Sequence, residues 1–161
     1  MSKVSVIGLC LALSLVVVIG VGCAKCGKDV SQKIAEKAIE GAINKSTGGR
    51  ADIDVGSNVD LTGLPATLHY PGAVAKGRFS MTGKEGSGTV YTFETKDPTA
   101  SVVGFYKKAL AGWKNSLTAE EADAVTLVYA TENEKESATI NVSRDKDTNV
   151  TLFTLLYAKK E

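Results

Sequence analysis

The stretch Asp97-Pro-Thr-Ala-Ser-Val-Val-Gly-Phe-Tyr-Lys-Lys-Ala-Leu-Ala-Gly-Trp113 decides the fold. Aspartate is a favoured helix N-cap, and proline suits the first helical position, where no amide donor is needed. The spacing therefore predicts a helix starting at Asp97-Pro98. At 100° per residue, Val102, Phe105, Tyr106, Ala109, Leu110 and Trp113 fall within an arc of roughly 160°. Gly104, Lys107 and Lys108 lie opposite, and Gly112 supplies a stop. A stripe of this width is what a helix needs to cover one face of a sheet. Its aromatic members are assigned to packing, not to a ligand cage.

Strand patterns surround this helix. Ala51–Val55, Ala75–Met81 and Thr89–Thr95 precede it; Val125–Thr131, Ala138–Ser143 and Asn149–Tyr157 follow. Pro71-Gly72 marks a turn, since proline presets φ and glycine accepts φ > 0. The Gly83, Gly86 and Gly88 stretch reads as a hairpin loop. It lacks the G-x-x-x-x-G-K-[ST] spacing of a phosphate loop, and strands flank it on both sides where such a loop leads into a helix. The expectation is an α+β fold: an antiparallel sheet of about five or six strands with one packed amphipathic helix, preceded by an N-terminal apolar segment and a separate short helix. The last strand carries Val150, Leu152 and Leu156 on one face and Phe153, Leu155 and Tyr157 on the other. Either it is central and covered on both sides, or its second face is a contact surface.

The chemistry-bearing residues are sparse. His69 is the sole histidine and stands beside a turn without a visible partner, so a passive role is expected. Asp52, Asp54, Asn58 and Asp60 imitate a calcium loop, but Gly56 and Gly63 occupy positions where the EF-hand needs ligands. No metal site, cofactor site or catalytic residue is assigned. Lys3 is the sole charged side chain in residues 1–22, which leaves 18 basic and 18 acidic side chains in the remainder. That balance gives no electrostatic footprint for nucleic acid.

Residues Val4 to Val21 are uncharged and mostly apolar. As a helix they would span about 27 Å, close to the hydrocarbon thickness of a bilayer. Lys3 provides a short positive start, and Gly22 precedes Cys23. The arrangement resembles a bacterial lipoprotein signal, in which a small residue precedes the cysteine that is lipidated; Cys23 is the lipidation candidate. Gly20 departs from that pattern, which prefers a large aliphatic residue there. The alternative is an uncleaved transmembrane anchor. Lys25, Lys28 and Lys33 after the segment would by the positive-inside rule favour a cytoplasmic domain. Cys10, Cys23 and Cys26 all lie in or beside this segment, so the domain has no internal disulfide and no thiol nucleophile.

Asp29 to Lys45 reads as a second helix. Asp29 and Gln32 form a capping box. Val30, Ile34, Ala38 and Ala42 adjoin a row of Ala35, Ile39 and Ile43, opposite Lys33, Glu36, Lys37 and Glu40. Its small apolar side chains favour a spacer over a packed helix. The organisation is then a signal or anchor over 1–23, a spacer helix and Gly-rich linker over 24–50, and an α+β domain over 51–161.

The order of landmarks carries a resemblance. Tyr70-Pro71-Gly72-Ala73, Phe105-Tyr106-Lys107 and Gly112-Trp113 follow a cysteine-containing signal and a helix ending in Gly48-Gly49. Over residues 20–157 the chain resembles a family of small uncharacterised bacterial envelope lipoproteins. The resemblance implies an exported α+β domain and brings no catalytic residues with it. The expected function is a membrane-tethered extracytoplasmic binding or structural module, held by lipid or by the N-terminal helix and contacting an unknown envelope protein. The alternatives are an envelope enzyme or accessory using carboxylates such as Asp52 and Asp60, and a cytoplasm-facing anchored protein.

Overall fold

The computed structural model describes residues 50–160 apart from Ser57 and Glu85, together with Lys37 and Gly41. The apolar segment, Cys23 and most of the helix expected over 29–45 lie outside the described residues. Lys37 and Gly41 are helical and exposed. None of the described helices is long and apolar enough to cross a membrane.

Seven strands form one sheet: β1 (Arg50–Val55), β2 (Val74–Gly83), β3 (Gly86–Thr95), β4 (Lys114–Glu120), β5 (Ala124–Ala130), β6 (Glu136–Asp145) and β7 (Val150–Lys159). The helix α1 (Thr99–Ala109) stands between β3 and β4. The order across the sheet is β1-β2-β3-β7-β6-β5-β4, and every pairing is antiparallel. Two meanders are thus joined through β3 and β7. The chain leaves β3 mid-sheet and enters β4 at the far edge, so α1 crosses the face of β7, β6 and β5.

This corrects the expected fold class. The protein is mostly sheet, with seven strands instead of five or six. The unforeseen strand is β4, whose residues are nearly all exposed. It is an edge strand with no apolar alternation, as sheets commonly arrange at their edges to resist further pairing. The hairpin loop is also shorter than expected, because β2 and β3 run through the glycine-rich stretch to Gly83 and Gly86. Gly86 has φ +135°, and a Cβ there would collide with the Lys159 carbonyl. Glycine is required at that position by contact with β7 as well as by dihedral.

The core lies between α1 and the inner face of the sheet. Val102, Val103, Tyr106 and Leu110 meet Tyr91, Phe93, Leu127, Ile140, Val142, Phe153 and Leu155. Phe93 and Phe153 stack at 5.0 Å across the β3–β7 junction. Leu64 and Leu68, from the connection between β1 and β2, complete the core. The Tyr106 hydroxyl donates to the Leu68 carbonyl at 3.1 Å, which satisfies the polar end of a fully buried ring. Pro98, not Asp97, is the N-cap of α1, and no side chain caps the helix. Asp97 is used differently, as described below.

The sheet changes polarity along its width. Under α1 the inner face is apolar and the outer face carries Thr126, Thr139, Asn141 and Thr154. On β1 and β2 the arrangement reverses. Register places Asp54 beside Arg78 and Tyr91, and Asp52 beside Ser80 and Thr89, so these polar residues share the inner face with the core. Ala51, Ile53, Val55, Phe79 and Met81 point outward instead. The crossover path of α1 explains the switch, because the helix never reaches above β1 and β2.

Candidate functional site

The inner face of β1, β2 and β3 holds the polar side chains that the core does not need. Arg78 is half-buried there, and its Nη1 donates to the Asp52 carboxylate at 2.6 Å. Within the described residues, Arg78 Nε is buried with no hydrogen-bond partner, and so is the Tyr91 hydroxyl. Tyr91 is fully buried. Buried polar atoms without partners are uncommon, and each calls for an explanation. Burial pushes the Tyr91 hydroxyl pKa up, against the opposing influence of Arg78. Ser80 and Thr89 share a hydrogen bond at 2.9 Å on the same face. The row continues to Tyr157, whose pKa is pushed up to about 12 by burial and then by Glu136.

The connection between β1 and β2 roofs part of this surface. The Asp60 amide donates to Asp54 Oδ2 at 2.7 Å, and Asp60 accepts from the amide and hydroxyl of Thr62. Those bonds set the path that brings Gly63 over Tyr91, so close that a Cβ would lie 2.9 Å from the hydroxyl. Two solvent-open recesses flank the sheet's ends. One, of about 480 Å³, is lined by Thr131, Glu132, Asn133, Lys135, Glu136 and Lys159. The other, of about 290 Å³, lies where Val74 and Glu94 meet Asp97.

The structure gives the acidic residues that the sequence places close together separate structural partners. Asp52 pairs with Arg78, while Asp54 and Asp60 hold the loop. Hydrogen bonds from Thr62 keep the Asp60 carboxyl below its ordinary pKa, the opposite of what a general acid requires. Among the described residues, no group of three His, Cys, Asp or Glu side chains is placed to hold a metal ion. His69 Nε2 lies 3.0 Å from the Leu64 carbonyl and helps to fix the loop. Cys23 lies outside the described residues.

Two of the sequence landmarks meet. The Tyr70 hydroxyl of the Tyr-Pro-Gly-Ala turn donates to Asp97 Oδ2 at 2.9 Å. Thr151 and Arg144 both donate to the Asp97 carbonyl, at 2.6 and 3.0 Å. This cluster ties β6, β7 and the turn to the start of α1. Sequence reasoning missed Arg78 and Tyr91 as a pair. The available signal was an arginine on the face of its strand opposite Phe79.

A sequence model of the family described as START domain-like matches residues 75–149, just under half of the chain. The matched region runs from β2 through α1 to the β6–β7 turn. No match is found among curated proteins or among solved structures.

Proposed function

We propose that this chain is a membrane-tethered, extracytoplasmic binding module whose ligand site is the polar inner face of β1, β2 and β3, and that it is not an enzyme. The observation that carries the reading is that Arg78 Nε and the Tyr91 hydroxyl are buried and, within the described residues, unpaired, where the core meets the polar face of β1 and β2. Arg78 Nε is a donor and the Tyr91 hydroxyl a donor or an acceptor, so a small polar ligand with an acceptor oxygen would satisfy both. The likeness to the START domain-like family supports a binding role over a catalytic one. The engaged carboxylates weigh against acid–base chemistry by Asp52 and Asp60. The tether rests on Val4–Val21 and Cys23 and on the resemblance to envelope lipoproteins.

Native mass spectrometry of the full chain, extracted from its membrane in mild detergent, tests the site. The expected result is a small-molecule adduct on the wild type that Tyr91→Phe and Arg78→Gln each lose while remaining folded. A wild type without an adduct, or variants that keep it, would refute the site. Radiolabelled palmitate tests the tether separately: the wild type takes up label and Cys23→Ala does not. An unlabelled wild type with an intact N-terminus leaves the helix anchor instead, and a domain that stays protected from protease in spheroplasts and is cut only after lysis would overturn the extracytoplasmic placement.

A further inference from the structure

The outer face of the sheet, on the side away from α1, carries two adjoining rows of opposite bulk. Phe79, Val90, Leu156, Thr139, Val128 and Leu117 stand in register across β2, β3, β7, β6, β5 and β4, a ridge that is apolar except at Thr139. Two residues along each strand runs a trough of small side chains. Gly88, Ala158, Ser137 and Ala130 form it, between Met81 at one end and Lys114 at the other. On the other side of the ridge, Thr92, Thr154, Asn141 and Thr126 make a third row. Lys114, at the sheet's edge, is the one charged side chain in these three rows. The ridge is also open, with Leu156 39% and Leu117 50% exposed. A solvated sheet face ordinarily carries polar side chains in alternation with a buried apolar face. Here both faces of β7 are apolar around Leu155 and Leu156, and the outer one asks for a cover.

We infer that this face is the contact between two copies of the chain, packed sheet on sheet about a two-fold axis that runs across the strands between ridge and trough. Such an axis lays the ridge of each copy into the trough of the other. Leu156 meets the partner's Ala158, Val90 the partner's Gly88 and Val128 the partner's Ala130, and symmetry makes each pair twice. Large side chains facing small ones let two sheets interdigitate at the usual separation of about 10 Å. Phe79 meets the partner's Met81, a favourable contact of ring with thioether. Thr139, the polar member of the ridge, meets the hydroxyl of the partner's Ser137. Packed sheets cross at about 30°, so the match is closest over β7 and its neighbours. Lys114 falls at the rim. Glu94, paired with Lys76 at 3.1 Å, lies beyond the threonine row, so no unpaired charge is buried. The overlap runs from the threonines to Gly83 and Gly86. Six strands about 4.8 Å apart and four rows about 6.8 Å apart give roughly 800 Å² per copy, the size of a standard stable interface. The arrangement turns both α1 helices and both polar wings away from the contact, so the inner faces stay free.

Sedimentation equilibrium of the full chain in a density-matched mild detergent reads the oligomeric state. The wild type should be a dimer at micromolar concentration. Leu156→Lys sets a charge against the partner's Ala158 and should weaken the dimer by about tenfold or more, and Ala158→Glu should do the same. The two together set each new lysine against the partner's new glutamate and should restore the dimer. Leu152→Lys, on the same face of β7 but outside the contact, should leave it unchanged. Loss in both single variants with recovery in the double supports the two-fold contact. A monomeric wild type overturns it. So does a dimer that Leu156→Lys leaves intact, one that Leu152→Lys breaks equally, or a double variant that stays monomeric. Far-UV circular dichroism checks the fold of each variant. If Leu156→Lys unfolds the chain, Leu156→Thr provides the milder variant, with the same expected direction and the same refuting result.

Discussion

Tyr70 and Asp97 stand 27 residues apart, and the Tyr70 hydroxyl donates to the Asp97 carboxylate at 2.9 Å. The same tyrosine ring packs edge-on against Phe105 at 5.1 Å and Phe153 at 5.8 Å. One side chain thereby joins the turn before β2, the start of α1 and the central strand β7. Tyr70→Phe keeps the ring contacts and removes the hydroxyl, so it should cost about 1 kcal/mol. Tyr70→Ala also removes the ring and should cost about 3 kcal/mol. Urea denaturation followed by Trp113 fluorescence measures both. Equal costs would show that the ring contributes nothing.

The alkaline limb of stability follows from the same residue. Burial and then Asp97 push the Tyr70 pKa up to about 12. Burial and then Glu136 do the same for Tyr157. Unfolded tyrosine ionises near pH 10. A folded-state pKa above that value means the native state holds its proton more tightly. This contribution is complete below pH 10 and is lost as pH rises through 12. Stability should therefore be flat from pH 7 to 9 and fall between pH 10 and 12. Tyr70→Phe should make that fall shallower. A fall of unchanged slope in the variant would contradict the assignment.

Much of this architecture was legible in local pattern. The apolar residues of α1 recur at helical spacing, and β6 alternates apolar and polar side chains along Ala138–Ser143. What escaped depends on long-range pairing. Lys114–Glu120 has no apolar rhythm, because an edge strand with both faces near solvent needs none. The alternation of Ala51, Ile53 and Val55 with Asp52 and Asp54 revealed a strand but not which set faces inward. That was fixed by the registers Asp54 to Arg78 and Arg78 to Tyr91. Asp97 was identifiable as a helix-start residue, yet its carboxylate serves Tyr70, from a turn distant in sequence. The Arg78 and Tyr91 pair was invisible for the same reason.

Two glycines should respond in opposite senses to alanine. Gly86→Ala forces a Cβ against the Lys159 carbonyl at φ +135°, and strain of this kind costs about 3 kcal/mol. It should also loosen the β2–β3 turn from the end of β7. Gly104 lies within α1 and an added Cβ meets nothing within 4 Å. Alanine there should stabilise by about 0.5–1 kcal/mol through helix propensity and unfolded-state entropy. Thermal denaturation of both variants gives the comparison. A neutral Gly86→Ala would mean that the β3–β7 approach is less close than described.

The two faces of β7 should differ sharply. Leu155 is fully buried in the core, whereas Leu152 is 41% exposed on the outer face. Truncating a buried leucine to alanine costs 2–5 kcal/mol in general, through lost transfer energy and the cavity left behind. Leu155→Ala should fall in that range, at about 3 kcal/mol. Leu152→Ala should cost under about 0.5 kcal/mol. Similar losses at both positions would mean that the outer face around Leu152 is covered too.

Tyr91→Phe separates stability from binding. The hydroxyl is buried and, within the described residues, unpaired. Leaving a buried polar group unsatisfied costs about 1–3 kcal/mol. Removing it while keeping the ring should therefore stabilise the ligand-free protein by about 1 kcal/mol. The ring is kept because it stacks on Phe93 at 6.2 Å within the core. If the hydroxyl serves a ligand, the same variant gains stability and loses the bound molecule. Trade-offs of that form are expected where a site holds strained or unsatisfied groups for function. Urea midpoints of ligand-free wild type and variant decide the first half, and a variant less stable than wild type would show that the hydroxyl is satisfied in solution, by water or by Arg78. Gly63→Ala provides the complementary case. Its Cβ would press on the Tyr91 hydroxyl at 2.9 Å, so it should destabilise the wild type more than it destabilises Tyr91→Phe. Additive losses in the double variant would place Gly63 out of contact with that hydroxyl.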